Sequence, residues 1–267
     1  MSLTGKTLAS TYKSLLRVND DTNGVDATTE VVTDGEGTAS SIALSDDQLL
    51  VKPQNDDTTS LFNVQTKGGT SLLTVDSTNS AVKGTNSQYM NTQYAHFGIC
   101  GADVSWAGCL ANTHYMIPFS SANSAFLVSD IANLALGTST DPATSLTIST
   151  DASDIIQCYW YVCDDITIDA VKWWTAGDAA TGDTVRGHLL SYSVVTTAGS
   201  TGGDLSSGTV CASSSDITSS GYEQSYYNSM TINSADVDAG KVILFTFRAD
   251  SVNSDYTINA TVKYHLR

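Results

Sequence analysis

Apolar positions along this chain follow two different periods. Leu8, Tyr12, Leu15 and Leu16 fall at i, i+4, i+7 and i+8, one helical face, and predict a short helix over residues 8–18. Beyond residue 19 the pattern is that of strands: brief apolar runs separated by clusters of Asn, Asp, Gly and Ser. The clusters at 19–24 and 34–37 have turn chemistry, and strands are expected at 30–33, 41–44, 48–51, 61–65, 72–75 and 81–83. Alternation is clearest over 60–65, which leads through a glycine turn at 67–69 into 72–75 and a second turn at 76–79.

These early strands are short and carry few aromatic residues, so they are marginal as an isolated monomer. Copies wound about a common axis would supply the missing partners. The candidate contacts between copies are Leu61, Phe62, Val64, Leu72, Leu73, Val75 and Val82.

Between residues 84 and 91 the composition turns polar and then aromatic, and a domain boundary is expected there. The chain is thereby read as a segment 1–20, a β-rich oligomerising stalk 21–88 and a head domain 89–267. All four tryptophans fall in the head. Strands are predicted there at 125–128, 146–148, 155–163, 166–174, 185–195, 226–232, 242–248 and 256–265. Strands at this spacing, joined by Gly, Asp and Ser turns, describe a β-sandwich or jelly roll. Within 157–163, Cys158, Trp160 and Val162 alternate with Tyr159 and Tyr161. The fold class is therefore all-β.

Composition supports this reading: only 15% of residues are charged, so good helix formers are scarce. Net charge is −16, which opposes binding to nucleic-acid phosphate or anionic membranes. No stretch approaches the ~20 apolar residues of a membrane span, and no targeting segment is visible, so no membrane insertion is expected. The five cysteines, Cys100, Cys109, Cys158, Cys163 and Cys211, lack metal-knuckle spacing and are read as small apolar residues.

Candidate chemistry is thin. The Gly5-Lys6-Thr7 stretch lacks the upstream glycine and preceding strand of a phosphate loop. No GxSxG turn accompanies His96, His114, His188 or His265, so a hydrolytic triad is not expected. Adjacent carboxylates such as Asp164 and Asp165 point to opposite faces of a strand and suit turns better than glycan hydrolysis. The acidic loop from Asn19 to Gly24 offers oxygen ligands but no closing glutamate, so a solvated turn is preferred to a calcium site. No catalytic residue, metal or cofactor is expected. Trp173, Trp174, Tyr226 and Tyr227 are the ligand-binding candidates, because a strand sends one ring of each adjacent pair outward, where it can stack on a sugar or pack in a subunit contact.

The strand–turn–strand unit at 60–82 resembles a unit of trimeric bacteriophage fibres and tailspikes. The stretches at 4–18 and 45–53, and the ending at 262–267, look like those of fibre-type virion proteins of marine tailed phages. The resemblance covers the first 85 residues well and the head loosely. It implies a homotrimeric head-fibre, tail-fibre or capsid-decorating protein on the virion surface, assembled in the host cytoplasm. Such a protein would be anchored to capsid or tail proteins by its N-terminal segment, with Leu8, Tyr12, Leu15 and Leu16 as anchor candidates, and would display its head. Some relatives touch host-surface glycans with that head, so an adhesin is the alternative function and a glycan depolymerase a more remote one.

Overall fold

The computed structural model describes residues 15–20, 22–99, 109–120, 134–138, 155–177, 182–195, 205–220, 224–251 and 256–267. Leu8 and Tyr12, and the strands expected at 125–128 and 146–148, lie outside the described residues. Those described are all-β, with antiparallel pairing throughout and nothing helical beyond isolated 3-10 turns. They form two compact units, Met1–Asn91 and Thr92–Arg267.

The first unit holds two small sheets. One has the order β1 (Arg17–Val18), β2 (Glu30–Thr33), β3 (Ala39–Leu44) and β4 (Leu49–Val51). The helix expected over 8–18 therefore does not reach its last two residues: Arg17 and Val18 pair with Thr33 and Val32 as a strand. The other sheet is a meander of β5 (Phe62–Gln65), β6 (Ser71–Asp76) and β7 (Ala81–Lys83). Gly69, at φ +86°, closes the β5–β6 turn in the left-handed region that glycine enters without steric cost.

The second unit is built from two antiparallel layers. The first layer has the order β16 (Tyr226–Ser229), β12 (Ile166–Gly177), β20 (Tyr256–Leu266) and β8 (Thr92–Ile99), and β18 (Asp236–Val237) continues the edge beside β12. In the second layer β10 (Ala135–Thr138), β9 (Thr113–Ile117), β19 (Lys241–Ala249), β13 (Thr184–Val194), β14 (Leu205–Ser213) and β17 (Thr231–Ile232) lie side by side. Two short strands, β11 (Trp160–Tyr161) and β15 (Ile217–Thr218), extend it along β19 and β13.

The inner faces of the two layers share one core. From β12, Trp173 is fully buried and meets Phe245 and Phe247 of β19 at ring distances of 5.9 and 6.2 Å. Phe97 of β8 reaches Phe245 at 6.0 Å, and Phe247 reaches Tyr256 of β20 at 5.0 Å. Gly187 of β13 leaves the room these rings need: a Cβ there would stand 2.9 Å from Phe245 Cζ and 3.2 Å from Trp173 Cε2.

The layers differ on their far faces. In the second layer every residue of β9, and all of β19 except Lys241, is buried, so both faces are covered. In the first layer burial alternates along β20 from Tyr256 to Lys263 as the pleat requires, and over that stretch the far side faces solvent, whereas His265 beyond it is buried. This open face positions the second candidate site described below.

Two expectations are corrected. Residues 155–163 are not one strand: Ile156–Cys158 form a 3-10 turn closed by Tyr159 N–H donating to the Ile156 carbonyl, and only Trp160–Tyr161 pair, with β19. The alternation nevertheless places Cys158, Trp160 and Val162 inside and leaves Tyr161 exposed. The strand expected over 226–232 breaks at Met230, whose N–H donates to the Val171 carbonyl, and the chain crosses there from one layer to the other.

Gly187→Ala should destabilise the second unit by about 1–3 kcal/mol, because Phe245 and Trp173 are buried and have no free space to yield. Urea unfolding followed by tryptophan fluorescence measures this. An unchanged midpoint would mean the layers can separate slightly at no cost.

Candidate functional surfaces

The first candidate surface lies in the first unit and is defined by what it fails to bury. Among the described residues up to Asn91, Ala43 is the only buried apolar side chain. Eleven of the 18 large apolar side chains exposed among the described residues belong to this unit, from Leu15 to Met90. They are not scattered. The register Phe62↔Val75↔Val82 and Val64↔Leu73 puts these five on one face of the β5–β7 sheet. The other sheet does the same: Val18↔Val32, Ile42↔Val51 and Leu44↔Leu49 share a face.

Of the seven contact candidates, Phe62, Val64, Leu73, Val75 and Val82 are thus brought together. Leu72 faces the opposite side with Thr74 and Asp76, and Leu61 precedes β5 on that same side. Of the anchor candidates, Leu15 and Leu16 are exposed, the latter by 74%. They sit just before β1.

That opposite side carries the polar device that fixes the sheet. The buried Asp76 carboxylate accepts from Lys83 Nζ at 2.8 Å, from Asn79 Nδ2 at 2.8 Å and from Asn79 N–H at 3.0 Å. Lys83, and then Asn79, hold its pKa down from 3.8 to about 2. Lys83 also lies 5.3 Å from the centre of the Tyr89 ring.

The second surface is the open face of the first layer in the second unit. Register across it is read directly. Tyr227, Trp174, Asn259 and Gly98 form one row, and Ser229, Lys172, Thr261 and His96 the next. Lys263 and Tyr94 follow. Trp174 and Tyr227 are 51% and 47% exposed, with ring centroids 5.0 Å apart and planes tilted by 48°. His96 Nδ1 lies 3.1 Å from Thr261 Oγ1.

The four aromatic candidates therefore separate. Trp173 belongs to the core and cannot stack on a ligand. Tyr226 is half-buried on the inner side, and its hydroxyl accepts from Ser220 N–H at 2.8 Å. Trp174 and Tyr227 remain. Lys172, Lys263 and Tyr94 were not singled out in the sequence, and His96 only as a triad histidine; Lys172 shares the outward face of β12 with Trp174, and the pairing of β20 with β12 and β8 adds the other three.

The remaining polar candidates have structural roles. Asp20 accepts from Thr22 and Asn23 N–H groups at 2.7 and 3.0 Å, an Asx turn that lowers its pKa. Asp165 accepts from Ala239 N–H at 2.8 Å and braces the turn before β19. His114 and His188 are buried edge to face at 5.0 Å, and His114 Nδ1 approaches Thr246 Oγ1 at 3.3 Å. His265 Nδ1 lies 2.9 Å from Asp169 Oδ1 at the bulge in β12. Cys109, Cys158 and Cys211 are buried, and burial pushes the Cys158 thiol up to about 12, where it is unreactive. Cys163 departs from the apolar reading and is exposed. It borders a cleft of about 240 Å³ with Asp164, Tyr161, Tyr264 and Gln93, whose amide oxygen accepts from the Tyr264 hydroxyl at 2.9 Å.

Comparison of this chain with protein families, with curated proteins and with solved structures yields no match. Its function is therefore argued from these surfaces and from the pattern of its sequence.

Because the folded pKa of Asp76 is depressed, its bonds stabilise the sheet above pH 3.8 and are lost as pH falls toward 2. NMR titration of the Asp76 carboxyl carbon should give a midpoint near 2, and Lys83→Met should move it upward. A midpoint near 3.8 in the native chain would show that the Lys83 contact does not persist in solution.

Proposed function

We propose that this chain is a non-enzymatic structural protein of a virus particle. Its first unit assembles three copies and carries the N-terminal anchor; its second unit is the displayed β-sandwich head. One observation carries the assembly step: the first unit has two sheets, each with an apolar face whose side chains are left exposed or only half-buried. Removing a Val, Leu or Phe side chain from water contributes about 1.5–3 kcal/mol, so leaving this many exposed is a large standing cost that a second and third copy remove. The resemblance of residues 60–82 to the strand–turn–strand units of phage fibres supports a trimer, and so favours a head fibre, tail fibre or decoration protein.

The reading without catalysis is supported by how the acidic and histidine side chains are used. Asp20, Asp76 and Asp165 bond to neighbouring backbone or to a lysine, and His96, His114 and His265 lie against Thr or Asp partners. The location on the virion surface rests on the resemblance.

Sedimentation equilibrium of the full chain should return three times its mass of 28.1 kDa. Phe62→Asp together with Val75→Asp should dissociate it and render residues up to 91 sensitive to protease, with the second unit intact. A native chain that sediments as a well-behaved monomer at micromolar concentration would sink the proposal.

A further inference from the structure

The open face of the first layer differs in chemistry from the apolar faces proposed for assembly. It combines two exposed aromatic rings with cations and hydroxyl or amide groups: Lys172 and Lys263, Asn259 and Thr261. Lys172 precedes Trp174 by two residues, the same-face spacing of a strand, and Lys263 on β20 lies diagonally across from Lys172, about 7–8 Å away. Lys172 is exposed and makes no ion pair among the described residues. The carboxylates toward the far end are engaged: Asp169 with His265 at 2.9 Å, and Asp236 with Thr167 at 2.7 Å. A chain with 12 cationic and 28 acidic residues therefore presents, here, aromatic rings beside cations.

We infer that this face binds an anionic polysaccharide, with sugar rings stacked on Trp174 and Tyr227 and their carboxylate or sulfate groups paired with Lys172 and Lys263. The two rings meet at a tilt of 48° and each is about half exposed, so each leaves part of its apolar surface open to a sugar ring. Asn259, in the same row, supplies a donor and an acceptor for hydroxyl groups.

Charge complementarity favours this occupant over two others. A further copy of the chain would bury the Lys172 ammonium, and the described open face offers no unengaged carboxylate to meet it. Nucleic acid carries a charge every ~1.7 Å of duplex, far more than two lysines can offset on a chain of net charge −16. A polysaccharide with widely spaced acid groups needs only local cations, because charges beyond about 8 Å are screened at physiological salt. The inference concerns the second unit and stands apart from the assembly proposal, which sedimentation tests separately.

The test is titration of the full chain with alginate oligosaccharides, dextran sulfate, neutral dextran and a single-stranded oligonucleotide, read by tryptophan fluorescence and calorimetry. Binding to alginate or dextran sulfate is expected, weakened by salt, with neutral dextran at least about tenfold weaker. Alginate alone would assign a carboxylate partner, and dextran sulfate alone a sulfate. Trp174→Ala and Lys172→Glu should each lower affinity about tenfold or more, with circular dichroism unchanged. If Trp174→Ala misfolds, Tyr227→Ala and Lys172→Glu decide the matter, since both sites are exposed. The inference is overturned if neither anionic polymer binds, if the oligonucleotide binds more tightly, or if neutral dextran binds equally and Lys172→Glu has no effect. A fall in sedimenting mass on Trp174→Ala would likewise overturn it, by making the face a subunit contact.

Discussion

The second unit depends on the approach of Trp173 to Gly187. An indole from one layer occupies the space that a side chain on the opposing strand would otherwise fill, and Phe245 and Phe247 close around it. This contact does more than join two sheets. Because side chains alternate along a strand, seating Trp173 inward obliges Trp174 to point outward, and Lys172 with it. The composition of the open face follows from the packing of the core. A one-residue slip in β12 would exchange the two faces, leaving an indole in solvent and an ammonium in the core.

The two units solve the burial problem differently. Residues after Thr92 bury aromatic and aliphatic side chains from two layers around a shared interior. Residues before it bury almost none, and their order comes from turns: Asp20, Asp34 and Asp76 each accept from backbone N–H groups nearby, and Ser45 accepts from Gln48. Such bonds fix local conformation, yet each adds only about 0.5–1.5 kcal/mol net. Turns of this kind set the register of strands without supplying the energy that holds sheets together. The apolar faces they align are what supports a role in assembly.

Much of this fold was legible in the sequence, and the lapses have physical causes. Strands β12, β19 and β20 were found nearly to their ends because long alternating or doubly apolar runs leave little choice of structure. β2 and β7 were found to the residue, framed by turn-forming Asp, Asn and Gly. Strands β8, β9 and β14 were missed. Their sequences are rich in Thr, Gln, His, Ser and Gly, and they become strands by pairing with β20, β19 and β13 respectively, neighbours that no local pattern specifies. The helix expected at the start rested on the spacing of Leu8, Tyr12, Leu15 and Leu16, but the last two residues of its span, Arg17 and Val18, pair with β2 instead. For the open face, pattern gave Trp174 and Tyr227 as outward rings, and alternation along β12 puts Lys172 beside Trp174, but Lys263 and His96 join them only through the β12–β20–β8 order, and no local signal specifies that order.

That order carries one more consequence. Strand β20 lies between β12 and β8; β12 also pairs with β16 and β18, but β8 has, among the described residues, no other strand partner in its layer until residues 256–266 exist. During synthesis β8 must wait for almost the whole unit to be made before it can pair. A chain cut short of residue 256 lacks the central ladder, leaving β8 unpaired in its layer and one edge of β12 bare, and a bare edge of this kind is prone to aggregation. The Trp174–Tyr227 pair rests on β12 and β16 alone, whereas Asn259, Thr261 and His96 join the open face only once β20 is made.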